Sequence, residues 1–218
     1  VRKPMARKIL LGVLFFWGSS LTLQAQRRLT EATLVYTIHV DDKDSAATQP
    51  HFADGAVSTS YLKGANSRTD LVTQSGKQST IFISKSAQVV LLKEYGNQRY
   101  LTRMTISQWE RSNKKYREAV ITLLSDTLRL KGYLCYKALA TLADSTTYTI
   151  WYTKELNPLN KEFLPMAGSV PGLILSFETL LGDKKVRYEI DQIVLNPVQQ
   201  VLFDIPESGY RVLELQHP

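Results

Sequence analysis

A single cysteine, Cys135, and three histidines, His39, His51 and His217, supply all the thiol and imidazole in this chain. One thiol cannot close an intrachain disulfide, so the fold has to rest on its apolar core. The histidines fall in a strand-like run, a polar stretch and the extreme terminus, which excludes both zinc-type spacing and a tight catalytic cluster. No metal, cofactor or catalytic group is therefore expected. A glycine-rich phosphate loop is also missing. Asp42-Lys43-Asp44 begins like a calcium loop, but the glycine and closing glutamate do not follow. Ser169, between Gly168 and Gly172, is out of frame for a nucleophile elbow, and Ser112-Asn113-Lys114-Lys115 lacks the companions of a penicillin-type Ser-x-x-Lys.

Long apolar runs are scarce as well. The longest, Ile9 to Trp17, is far short of the ~20 residues a helix needs to cross a bilayer. It follows Arg2, Lys3, Arg7 and Lys8 and precedes Leu23-Gln24-Ala25, the order of a positively charged start, a short apolar stretch and a small residue before the cut. Residues 1–25 thus read as a cleavable signal peptide, with cleavage before Gln26 and no transmembrane span afterwards. No cysteine stands at that position, so a lipoprotein anchor is not expected. These 25 residues hold four of the 27 basic side chains and none of the 20 acidic ones, so the formal charge of +7 falls to +3 without them. The rest shows no basic block, and nucleic acid is excluded as a partner. Residues 26–218 are expected to form one domain, large enough to bury about 70% of its unfolded surface.

The mature segment alternates. Leu34, Tyr36, Ile38 and Val40 share one face of a strand over Thr33–Val40. Asp41–Gly55 breaks the pattern as a loop. Short β-favouring runs follow at Val57–Leu62, Ser67–Val72, Ser79–Ile83, Gln88–Leu92 and Gln98–Met104, punctuated by Lys63-Gly64, Ser75-Gly76 and Gly96-Asn97. This spacing predicts an antiparallel meander. Ser107-Gln108-Trp109-Glu110 fits a capping box, predicting a helix from Gln108 to Glu118 with Trp109 and Tyr116 on one side, packed into the core.

Further on, Leu128–Leu142 reads as a strand bent at Gly132, paired through Ala143-Asp144-Ser145 with a strand carrying Tyr148, Ile150 and Tyr152. Val186, Tyr188 and Ile190 alternate before Ile193 and Val194 change phase, as at a bulge. A last strand is expected near Val201–Phe203. The predicted fold class is mainly β, a β-rich α+β arrangement with a curved antiparallel sheet or half-barrel and one or two short helices.

Three blocks carry a resemblance: Lys131-Gly132-Tyr133-Leu134-Cys135-Tyr136-Lys137-Ala138, Tyr148 to Leu156, and Val170-Pro171-Gly172-Leu173-Ile174-Leu175. In order and spacing they resemble the signature of the GLPGLI family of exported Gram-negative bacterial proteins. Phe203-Asp204-Ile205-Pro206 with Gly209-Tyr210 is similar to the end of such chains. The chain resembles a divergent member, with Ser169 and Val170 replacing the first glycine and leucine of the hallmark. The resemblance implies a sheet curled around a helix, similar to periplasmic lipoprotein carriers, and a place in the periplasm or at the outer membrane. It implies no activity.

Candidate ligand contacts are few. Trp151 sits on a threonine-lined strand face beside Tyr152, and Pro171, Gly172 and Leu173 form a corner that returns the chain to an apolar strand. The corner reads first as structural and second as a binding loop. Cys135, with no histidine near it, reads as a small buried apolar residue. The expected function is non-enzymatic: binding of a lipid, lipoprotein or other hydrophobic ligand in a concave apolar groove. The alternative is an interaction protein of the outer-membrane transport machinery that recognises an envelope protein partner through an exposed sheet edge.

Overall fold

The computed structural model describes residues 27–40, 53–181 and 184–214. The signal segment over 1–25, the Asp42-Lys43-Asp44 turn, His51, His217 and most of the Asp41–Gly55 loop lie outside the described residues.

Five hairpin connections string together β2 (Glu31–Val40), β3 (Val57–Lys63), β4 (Asn66–Thr73), β5 (Gly76–Ile83), β6 (Gln88–Tyr95) and β7 (Gln98–Thr105), after a short β1 (Arg27–Leu29). The chain then passes through α1 (Ile106–Ser112) and α2 (Lys114–Arg117) to a second meander of β8 (Val120–Leu130), β9 (Tyr133–Thr141) and β10 (Thr147–Thr153). β11 (Leu156–Pro158), β12 (Leu173–Leu181), β13 (Lys184–Val194) and β14 (Arg211–Leu213) complete it. Twelve strands form one sheet in the order β14-β7-β6-β5-β4-β3-β2-β13-β12-β10-β9-β8. Its pairings are antiparallel except β14 with β7, and β1 pairs separately and in parallel with β11. The expected β-rich α+β class, with its antiparallel sheet and two short helices, is what the chain adopts.

The sheet is open, with β14 and β8 as its edges, and it is curled. Val89 on β6 and Phe177 on β12 are six strands apart, about 29 Å on a flat sheet, yet both line one cavity. Aliphatic and aromatic side chains of β2, β9, β10, β12 and β13 fill the inner face, with Leu34, Tyr36, Ile38, Tyr148 and Ile150 fully buried. The outer face of β5–β7 has its own cluster, in which Ile81, Val90, Leu92 and Leu101 meet Val198 and Phe203 of the C-terminal segment.

Four local expectations change. The helix begins at Ile106 because Thr105, at the end of β7, forms the capping box: its hydroxyl accepts from the Gln108 backbone and its own N–H donates to the Gln108 side chain. The helical stretch then breaks at Asn113. Gly132 does not bend one strand but turns between two, since Lys131 and Gly132 have φ of 49° and 87°, the left-handed pair a two-residue hairpin requires. Val201–Phe203, expected as a strand, lies in a 3-10 turn over Gln200–Phe203, because three apolar residues carry too little periodicity to separate the two. Of β8 only Leu128–Leu130 falls in the expected strand, since Leu123-Leu124 interrupts alternation at a register irregularity between Leu123 and Thr127. The expected bulge in β13 is present, between Ile190 and Gln192.

Candidate binding cavity

The inner face of the curled sheet divides into two chemically different walls. Along β3, β4 and β5 it presents hydroxyls, because Ser58, Ser67, Thr69 and Thr80 share one side of their strands with Leu71 and Phe82. Along β12 and β13 it presents rings: Phe177 and Tyr188 are direct cross-strand partners and stack at 4.6 Å between centroids. Tyr116 of α2 joins them, its phenol oxygen accepting a 3.0 Å hydrogen bond from the Thr179 hydroxyl. Trp109 of α1 and Phe163 of the connection between β11 and β12 complete the enclosure. The space between the walls is about 200 Å³.

Specific bonds hold the covering loop in place. Thr69 donates to the Phe163 carbonyl at 3.2 Å. Its proton is thereby committed, so Ser60 donates in the 2.9 Å Ser60–Thr69 contact. Asn160 adds a bond to the Ala65 carbonyl and caps the Glu162 amide. Within the loop, Phe163, Leu164, Met166 and Val170 are themselves buried. The cover is thus a packed element rather than a free flap.

A second space of about 230 Å³ adjoins the first, sharing Trp109, Glu162, Leu164 and Pro165 with it, and adds Asn113, Arg117, Lys161 and Ser169. Arg117 is compensated twice, by Glu110 at 3.0 Å and Glu162 at 3.2 Å. Lys161 donates to the Val170 carbonyl at 3.0 Å, and desolvation holds its pKa below the ordinary lysine value. A third space, about 300 Å³, lies elsewhere against Arg27, Tyr133, Tyr136 and Lys154, where the Lys154 ammonium rests 4.1 Å from the Tyr136 ring centroid.

The structure places the sequence candidates away from the concave cavity. Trp151 is half-buried, with the Lys137 ammonium 5.8 Å from its ring. Tyr152 is fully buried and packs on Tyr136 at 6.0 Å. Pro171 is exposed, Leu173 is fully buried, and Gly172 lies so close to the Thr153 carbonyl that a Cβ would overlap it. None of the five lines the concave cavity. Trp109 and Tyr116, expected on one side of a helix, do meet there. The hydroxyl wall and Lys161 escaped the sequence reading. The first was hidden in ordinary strand alternation, and the second sits on an aperiodic loop between Pro158 and Pro165.

Chemically, the concave cavity can hold an apolar body and offer it hydroxyl groups, with the Arg117-paired Glu162 carboxylate at its rim. Among the described residues no cluster of three or more His, Cys, Asp or Glu side chains could hold a metal ion. Cys135 is buried, and desolvation pushes its thiol up to about 11. Among the described residues no helix is long and apolar enough to cross a membrane.

The sequence matches no protein-family profile and no curated protein. Several solved structures are similar in fold. An uncharacterised conserved protein from Thermus thermophilus aligns over 88% of this chain and 93% of its own, with a TM-score of 0.51 and 10% identity. PNGF-II aligns over 85% of this chain but only 31% of its own length, at a TM-score of 0.49 and 16% identity, so this chain spans about a third of it. A beta-barrel-like protein of domain of unknown function DUF1849 from Brucella abortus aligns over 79% of this chain and all of its own, at 0.42 and 8% identity. The Thermus likeness shows a shared fold.

Proposed function

We propose that this chain is a non-enzymatic cell-envelope protein, exported as a divergent member of the GLPGLI proteins, that binds a hydrophobic ligand or lipoprotein-like cargo in its concave cavity. The observation that carries this reading is the space between the Phe177–Tyr188 stack, Tyr116 and Trp109 on one side and the hydroxyl wall on the other. A fully closed core leaves no such void, whereas here a space of about 200 Å³ remains between the loop-covered walls. Native mass spectrometry of the protein purified gently from an envelope fraction, followed by lipid extraction, tests it. A stoichiometric acyl-chain ligand supports the reading. A ligand-free mass that does not change after incubation with envelope lipids sinks it.

One observation favours the second reading, an interaction protein of the outer-membrane transport machinery. β8 is an open edge of eleven residues on which Val120 and Leu123 are 67% and 53% exposed, the form a strand-adding partner uses. Under this reading Leu123→Lys abolishes co-purification of a protein partner and leaves lipid retention unchanged.

A further inference from the structure

We infer that the ligand is a single-chain amphiphile with an anionic head group, its chain in the concave cavity and its head beside Lys161. This rests on the hydrophobic-ligand reading and narrows it. The two adjoining spaces share Trp109, Glu162, Leu164 and Pro165 as lining, the Glu162 carboxylate being paired with Arg117, and the inferred molecule passes between these side chains to occupy both. The inner space is aromatic and lined mostly by neutral polar groups, with Glu162, paired to Arg117, at its junction with the outer one, which carries the cations.

Two cations line the outer space, and they differ. Arg117 is neutralised by Glu110 and Glu162. Lys161, half-buried, meets the Val170 carbonyl, and among the described residues no carboxylate lies within ion-pair distance of its ammonium. A partly desolvated ammonium with one neutral acceptor is short of compensation, and an anion supplies it. The desolvation that lowers the Lys161 pKa is the cost that such an anion offsets.

Volume selects the tail. If a methylene occupies about the ~30 Å³ of a liquid water, the inner space takes on the order of seven of them. One medium-length chain fits, and a diacyl lipid does not. The shared head-group chemistry is a carboxylate or a phosphate monoester.

The test compares octanoate, octyl phosphate and 1-octanol by calorimetric titration at pH 7 into the delipidated protein. At least one of the two anions is expected to bind about tenfold or more tightly than the alcohol, the usual worth of a charge-assisted hydrogen bond. Lys161→Gln, which keeps an N–H donor for the Val170 carbonyl, should bring the anions down to the level of octanol and leave octanol unchanged. Lys161→Arg should keep the preference. Equal binding of alcohol and anions by the native protein, or a preference that survives Lys161→Gln, overturns the inference while the hydrophobic-ligand reading stands. If no probe binds and no lipid co-purifies, both fall.

Discussion

Asp70, 8% exposed on the outer face of β4, is held by Arg68 at 2.7 Å and Lys77 at 3.0 Å. Arg68 also donates to the Ser79 hydroxyl and to the Leu202 carbonyl, so one guanidinium ties β4 to β5 and to the C-terminal segment. Asp70→Asn keeps the shape and removes the charge. Breaking a buried pair by removing one partner costs about 3–5 kcal/mol. Lys77 is 35% exposed and can turn to water, and Arg68 retains two neutral acceptors, so a loss of about 2–3 kcal/mol at pH 7 is expected. The acid limb gives the sharper check. Burial raises the Asp70 pKa, but the bonds from Arg68, Ser79 and Lys77 outweigh it and the net value lies below the ordinary 3.8. A carboxylate with a depressed folded pKa contributes stability in full above its unfolded value, and that contribution disappears as pH falls through the folded one. Urea unfolding from pH 7 down to pH 2 should therefore show the native protein losing its advantage over the variant below about pH 4. Equal stabilities at pH 7, or a gap that stays constant down to pH 2, refute the reasoning.

Gly172→Ala should destabilise by roughly 1–3 kcal/mol, the usual cost of overpacking, because the added Cβ overlaps the Thr153 backbone. Chemical denaturation of the variant measures this, and an unchanged midpoint means that the corner is slack. Cys135, with its thiol raised to about 11, should resist alkylation at pH 8 in the folded protein and react promptly in urea. Rapid labelling without denaturant contradicts the burial.

The hairpins were legible because their chemistry is local. Lys63-Gly64, Gly96-Asn97 and Ala143-Asp144-Ser145 each sit between alternating runs, and a turn needs only its own residues to form. The first part of β8 and the Gln200–Phe203 turn were illegible for the opposite reason. On β8 only Ile121, Leu128 and Leu130 pack on the core while Val120 and Leu123 are exposed, and the register irregularity between Leu123 and Thr127 breaks any alternation. Phe203 is apolar because it covers Ile81 and Leu101 on the outer face, a contact that no window around residue 203 contains. Each failure marks a residue whose environment is set by a distant strand.

The same division explains the site. Trp109 and Tyr116 could be paired from their spacing of seven, although the helix expected to carry both breaks at Asn113 and they reach the cavity from α1 and α2 separately. Trp151, Tyr152 and Leu173 belong to the blocks that resemble GLPGLI proteins, yet Tyr152 and Leu173 are among the most deeply buried side chains and Gly172 is in contact with backbone. What those blocks specify here is the seam between β10 and β12, whose register shifts between Trp151 and Tyr152 just where Gly172 needs room. That seam carries Phe177 and Thr179 farther along β12, and through Thr179 it fixes the Tyr116 phenol at the aromatic wall. The recognisable residues therefore act one step behind the cavity. A substitution in the seam should change binding only through the position of Phe177, Thr179 and Tyr116, whereas one at Trp109 or Lys161 should change it directly.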